Sequence, residues 1–162
     1  MPFERQGPAM AVFDFNELMS DLEPLSADVT AASSAEDRLA AFCEIRDRLI
    51  DHFEAIEPTL YAALRRFPHL SPGLLEADRA REDIRLALTS LSLLPADSDA
   101  WLGMFVALCG GVRRYFGDTE ARLVDIAGRT LGGGELRRLS VEAERIQGLC
   151  ATGQVVRETV GD

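Results

Sequence analysis

Histidine, the side chain most used for acid–base and metal chemistry, occurs twice in this chain, at His52 and His69, and all 17 basic residues are arginine. The lack of lysine excludes an amine nucleophile, a Schiff base and the phosphate-cradling lysine of a P-loop. The three cysteines, Cys43, Cys109 and Cys150, are far apart and show no CxxC spacing, so they offer no structural metal site. Cys43 and His52 are nine residues apart on one helical run, which points them to opposite sides and excludes a nucleophile and base pair. Gly132-Gly133-Gly134 follows a helical pattern rather than a strand, and it does not read as a phosphate loop. Acid pairs such as Glu36-Asp37 and Glu82-Asp83 are most simply solvated helix surface. No catalytic constellation is therefore expected. What remains is three polar side chains set into apolar stripes: His52 at the edge of one, Arg81 and Glu120 within two others. Unpaired buried charges would each cost several kcal/mol, so the expectation is an Arg81–Glu120 ion pair with His52 nearby in the interior.

The elements that must position these residues are helices. No segment alternates with the two-residue period of a strand, and long stretches repeat at three and four. Residues 13–31 read as a first, less regular helix, with Asp14 as a cap and Pro24 as a kink. Ser34 and Asp37 have capping-box spacing. From there Phe42, Ile45, Leu49, Phe53, Ile56, Leu60, Leu64 and Phe67 predict one long helix carrying a buried stripe for about seven turns. Ser71 caps a third helix with Pro72 in its first turn, and Leu74, Ala77, Arg81, Ile84, Leu88 and Leu91 share one face. A fourth helix follows Ser98, with Trp101, Phe105, Tyr115 and Phe116 as core aromatics. Gly132–Gly134 should break the chain before a short fifth helix over 135–150. Long helices joined by short loops favour an all-α, antiparallel up-down four-helix bundle with the fifth helix docked on it. The organisation is then a flexible N-terminus over 1–12, the bundle over 13–131, a C-terminal helix over 132–150 and a flexible tail over 151–162.

With 162 residues, 47% of them apolar, the chain is long enough to bury a core without disulfides or metal. Dispersed cysteines and the lack of a leader-like or 18-residue apolar stretch point to the cytoplasm and away from membranes. A net charge of −10 repels phosphate backbones, so nucleic acid is not an expected partner, and a basic protein is the better electrostatic match. A homodimer is compatible with these features. His69, between Pro68 and a loop ending in Pro72, reads as solvent-exposed.

The run His52-Phe-Glu-Ala-Ile-Glu57-Pro-Thr-Leu-Tyr61-Ala-Ala-Leu64 resembles the hemerythrin-like, or HHE cation-binding, family, in which a histidine, acids four to five residues on and a Tyr-x-x-Leu follow in that order. The likeness continues through Leu74-Leu75-Glu76-Ala77-Asp78 and through Val112-Arg-Arg-Tyr115 to Glu120, spanning residues 14–130. It implies a four-helix bundle holding a pair of non-haem irons through histidines and bridging carboxylates, for oxygen, nitric oxide or iron handling. At the matching positions this chain keeps His52 and Glu120. It has Ile56 where the first carboxylate is expected, with Glu57 one place on, about 100° around the helix. Arg81 and Tyr115 stand where the family has histidines, and the first helix, around Asp21-Leu22, has none.

The resemblance therefore implies a bundle whose di-iron site is lost, with His52, Glu57, Arg81, Tyr115 and Glu120 as ligand or vestigial metal-site positions, no resident cofactor, and Arg81 supplying Glu120 with the positive charge a metal would bring. The contrasting expectation is a partial iron or other divalent-metal site at His52, Glu57 and Glu120. Leu39-x-x-Phe42-Cys43 with His52-Phe53, and Val112-x-x-Tyr115-Phe116-x-x-Thr-Glu120, are also similar to regulator-of-sigma-D anti-sigma proteins, which bind an RNA polymerase sigma factor. In those the Phe-Cys to His-Phe spacing is two residues longer, and their basic residues are missing here.

Overall fold

The computed structural model describes Phe13 and residues 15–151, and among them every regular element is helical. The expected termini 1–12 and 152–162, and Asp14 as a cap, lie outside the described residues. Helix α1 spans Phe15–Ala31 and continues through Pro24. Helix α2 begins at Ala35, where the Ser34 hydroxyl accepts the Asp37 amide at 3.0 Å and donates to the Asp37 carboxylate at 2.8 Å. That is the expected cap, worth about 1 kcal/mol.

Two corrections concern the long helices. The α2 stripe was expected to run unbroken to Phe67. Instead α-helix Ala35–Ile56 passes into a π-helical turn, Glu57–Tyr61, and a last α turn, Ala62–Leu64. The cause is Pro58, which has no amide hydrogen and whose ring crowds the carbonyl four residues back. The helix widens until Ala62 N–H reaches the Glu57 carbonyl, five residues away. After a 3-10 turn, Pro68–Leu70, helix α3 spans Ser71–Leu93. Ser71 is its first residue rather than its cap, and Pro72 sits in the first turn as expected.

Helix α4 comprises Asp99–Arg114, a second π turn over Tyr115–Glu120, and Ala121–Thr130. It is capped by Ser98, whose hydroxyl accepts the Trp101 amide at 3.2 Å. Helix α5, Gly132–Ala151, is longer than expected. The chain breaks only at Gly132, with φ of 73°, and the other two glycines join the first turn. One left-handed residue is enough to turn the backbone, and glycine adopts it without a Cβ clash.

Helix α1 packs on α2, α3 on α4, and α5 on α2 and the end of α4, burying Leu136, Leu139 and Ala143. Trp101 is fully buried, stacked on Phe105 with centroids 5.5 Å apart, and its indole N–H donates to the Leu91 carbonyl at 2.9 Å. That bond and the Arg81–Tyr115 contact fix the register of α3 against α4 at two levels. Among the described residues no helix is long and apolar enough to cross a membrane.

Candidate functional site

The two π turns bring the polar side chains together. Closing a turn over five residues instead of four returns residue i+5 to the side of residue i. In α4 this lets Tyr115 donate its phenolic hydrogen to Glu120 Oε1, at 3.2 Å on the same helix. In α2 the widened turn carries Tyr61 into the interior, fully buried, one residue beyond the Leu60 position of the stripe.

Glu120 is 1% exposed and accepts from two directions. His52 Nε2 lies 2.9 Å and 3.1 Å from its two carboxylate oxygens, and Tyr115 supplies the second donor. A carboxylate can only accept here, so Nε2 carries the hydrogen of this bond. Tyr115 has spent its single hydrogen on Glu120, so its oxygen accepts from Tyr61 at 2.7 Å and from Arg81 Nη1 at 3.5 Å. Donation therefore runs one way, from Tyr61 and Arg81 through Tyr115 to Glu120.

Arg81 holds the other end. Its guanidinium carbon lies 4.1 Å from the centroid of the Tyr61 ring, Nε donates to Glu57 at 3.0 Å, and Nη2 pairs with Asp78. Glu57 also takes Arg85 at 2.9 Å, and Asp78 takes Arg65 at 3.0 Å. Three guanidinium groups, those of Arg65, Arg81 and Arg85, thus meet the two carboxylates of Glu57 and Asp78. Phe53 and Phe116 seal the His52 side, with His52 and Phe116 ring centroids 5.2 Å apart.

The expected ion pair is corrected by this geometry. Arg81 and Glu120 are both buried, as expected, yet they do not pair: the phenols of Tyr61 and Tyr115 stand between them. Arg81 turns instead to the half-exposed acids Glu57 and Asp78, because a guanidinium needs several acceptors and finds them at the protein edge. All five singled-out residues, His52, Glu57, Arg81, Tyr115 and Glu120, belong to one connected network. Its further members Tyr61, Asp78 and Arg85 were missed as site residues. Their signals were Pro58 inside a helical run, and the i−3 and i+4 spacing of Asp78 and Arg85 about Arg81. His69 is exposed, as expected.

The electrostatics follow from burial. The Tyr115 phenol is pushed well above its ordinary pKa, first by burial, then by the Glu120 carboxylate and Tyr61. Tyr61 is raised as well, by burial and then by Glu120, with Tyr115 and Arg81 pulling the other way. For Arg81, burial opposes its charge, but Tyr115, Tyr61 and Glu57 outweigh it and the net shift is upward. Both phenols are thus held neutral and Arg81 charged, a stable arrangement for one-way donation.

Around Glu120 the metal-type donors are His52 and the carboxylate itself, while Tyr115 and, behind it, the fixed positive charge of Arg81 fill the other side. Among the described residues no group of three His, Cys, Asp or Glu side chains could hold a metal ion. The edge of the site meets solvent at a groove of about 560 Å³ between α3 and α4, whose lining includes Tyr115 but neither His52 nor Glu120. Compared with known proteins, the chain matches no family model, no curated protein and no solved structure.

Proposed function

We propose that this protein is a hemerythrin-like antiparallel four-helix bundle, with α5 docked outside it, that has exchanged a metal centre for a protein-only polar network and works as a non-enzymatic binding or regulatory module. The observation that carries this reading is the chain of donors from Arg81 and Tyr61 through Tyr115 to Glu120, lying between two π turns. π turns inside helices are frequent at functional sites, which supports an ancestral site at this position. The Tyr115 phenol donates to Glu120 where a metal would otherwise stand, and Tyr61 and the charged Arg81 guanidinium back it from behind. The net charge of −10 favours a basic protein partner over nucleic acid or an anionic surface.

The test is metal loading. Protein purified without a histidine tag is incubated anaerobically with ferrous iron, desalted, and measured for metal content and visible absorption after exposure to air. Background metal and no visible band are expected. Stoichiometric iron that disappears in His52→Ala would overturn the proposal and establish a retained partial metal site.

A further inference from the structure

We infer that the groove between α3 and α4 is the face through which two copies of this chain associate, about a two-fold axis running along the helices. Its lining includes small residues, Ala80 and Ala87 on α3 and Ala107 and Gly111 on α4, which leave room for another helix to approach. Between the rims the lining is mostly apolar, with Ile84, Met104 and Leu108 beside the small residues.

The charges on the two rims select the occupant. The α3 rim carries Glu76 and Asp83, and the α4 rim carries Arg114 and Arg122, with Asp118 between the two arginines reducing the positive rim without reversing it. None of these four is ion-paired among the described residues, although most other arginines of the described chain are. Because α3 and α4 run antiparallel, in the register fixed by Trp101–Leu91 and Arg81–Tyr115, Glu76 lies level with Arg122 and Asp83 level with Arg114. A two-fold axis parallel to the helices lays the α3 of one copy over the α4 of the other at the same level. Each acidic rim then meets the partner's basic rim twice over, as an isologous interface requires. For a chain of net charge −10, a locally balanced face is also where two copies repel least. Two helices about 30 Å long and about 10 Å apart present a face of the size that a standard interface buries on each partner.

The test is charge reversal with complementation, read by light scattering after size exclusion and by sedimentation at low ionic strength. The wild-type chain is expected to be a dimer that loosens as salt rises. Arg114→Glu with Arg122→Glu should weaken association about a hundred-fold, and Glu76→Arg with Asp83→Arg should do the same, since each places like charges face to face. Mixing these two variants should restore a dimer, because every contact in the mixed pair is again between opposite charges. Helical circular dichroism equal to wild type in each variant separates this result from a folding defect. A monomeric wild type, reversal variants that stay dimeric, or a mixture that stays monomeric would each overturn the inference and leave the groove to a small amphipathic ligand or a different protein. Metal loading does not enter this experiment, so it stands or falls separately from the proposed loss of the metal centre.

Discussion

Replacing Tyr115 with phenylalanine removes one oxygen and breaks three contacts. Glu120 loses a donor at 3.2 Å, Tyr61 loses its acceptor at 2.7 Å, and Arg81 loses a longer contact at 3.5 Å. A hydrogen bond to a charged group contributes about 1.5–3 kcal/mol, and a buried hydroxyl left without a partner costs about 1–3 kcal/mol. Glu120 keeps His52, and water entering from the groove that Tyr115 lines can replace part of the loss. The expected net cost is about 2–3 kcal/mol, a fall in melting temperature of roughly 5–10 °C for a chain of this size. Tyr61→Phe removes only the donor into Tyr115, and should cost about 1 kcal/mol. The double variant is the sharper measurement. Once Tyr115 has lost its oxygen, removing the Tyr61 hydroxyl relieves an orphaned group, so the double variant should be more stable than the sum of the singles by about 1 kcal/mol or more. Urea unfolding followed by Trp101 fluorescence gives the cycle, since it is the chain's sole tryptophan and is buried. Strict additivity, or a Tyr115→Phe cost within about 0.5 kcal/mol of zero, would refute the one-way donor chain.

Both tyrosines of the chain lie in the network, so tyrosinate absorbance near 295 nm reports on this site alone. The folded protein should show no ionisation near pH 10, where the chain unfolded in denaturant titrates. Because the folded phenols have raised pKa values, the unfolded state binds fewer protons above pH 10. Stability should therefore hold below that pH and fall above it, by up to about 1.4 kcal/mol per pH unit for each tyrosine, seen as a dropping urea midpoint. A midpoint flat to pH 11.5 would contradict this. Glu120→Ala leaves the His52 and Tyr115 donors facing a void and should cost about 3–5 kcal/mol, whereas Glu120→Gln keeps an acceptor and should cost clearly less by thermal unfolding. Ser34→Ala removes the α2 cap and should cost about 1 kcal/mol in the same assay, with no change in the tyrosinate titration.

Much was legible in the residues alone. Apolar periodicity marked the helices, Ser34 and Ser98 marked two helix starts, and His52, Arg81 and Glu120 stood out as polar side chains inside apolar stripes, which is where they are buried. That signal is local, because burial of a helix face is written in spacings of three and four. What each buried group bonds to was not legible. Arg81 and Glu120 were expected to find each other from charge alone, but the partner of a buried charge depends on which donors and acceptors the packing delivers within 3 Å. Two departures from the α-helical repeat decided that. Pro58 widened α2 and turned Tyr61 inward, and the wide turn in α4 set Tyr115 beside Glu120. A residue inserted into a helical turn rotates every later side chain by about 100°, so a small local change redirects a whole network. The helical class and the polar interruptions were determined by the order of residues. The division of those charges into a buried His52–Glu120 end and an edge-facing Arg81–Glu57–Asp78 end, joined by two phenols, was decided only when the helices packed.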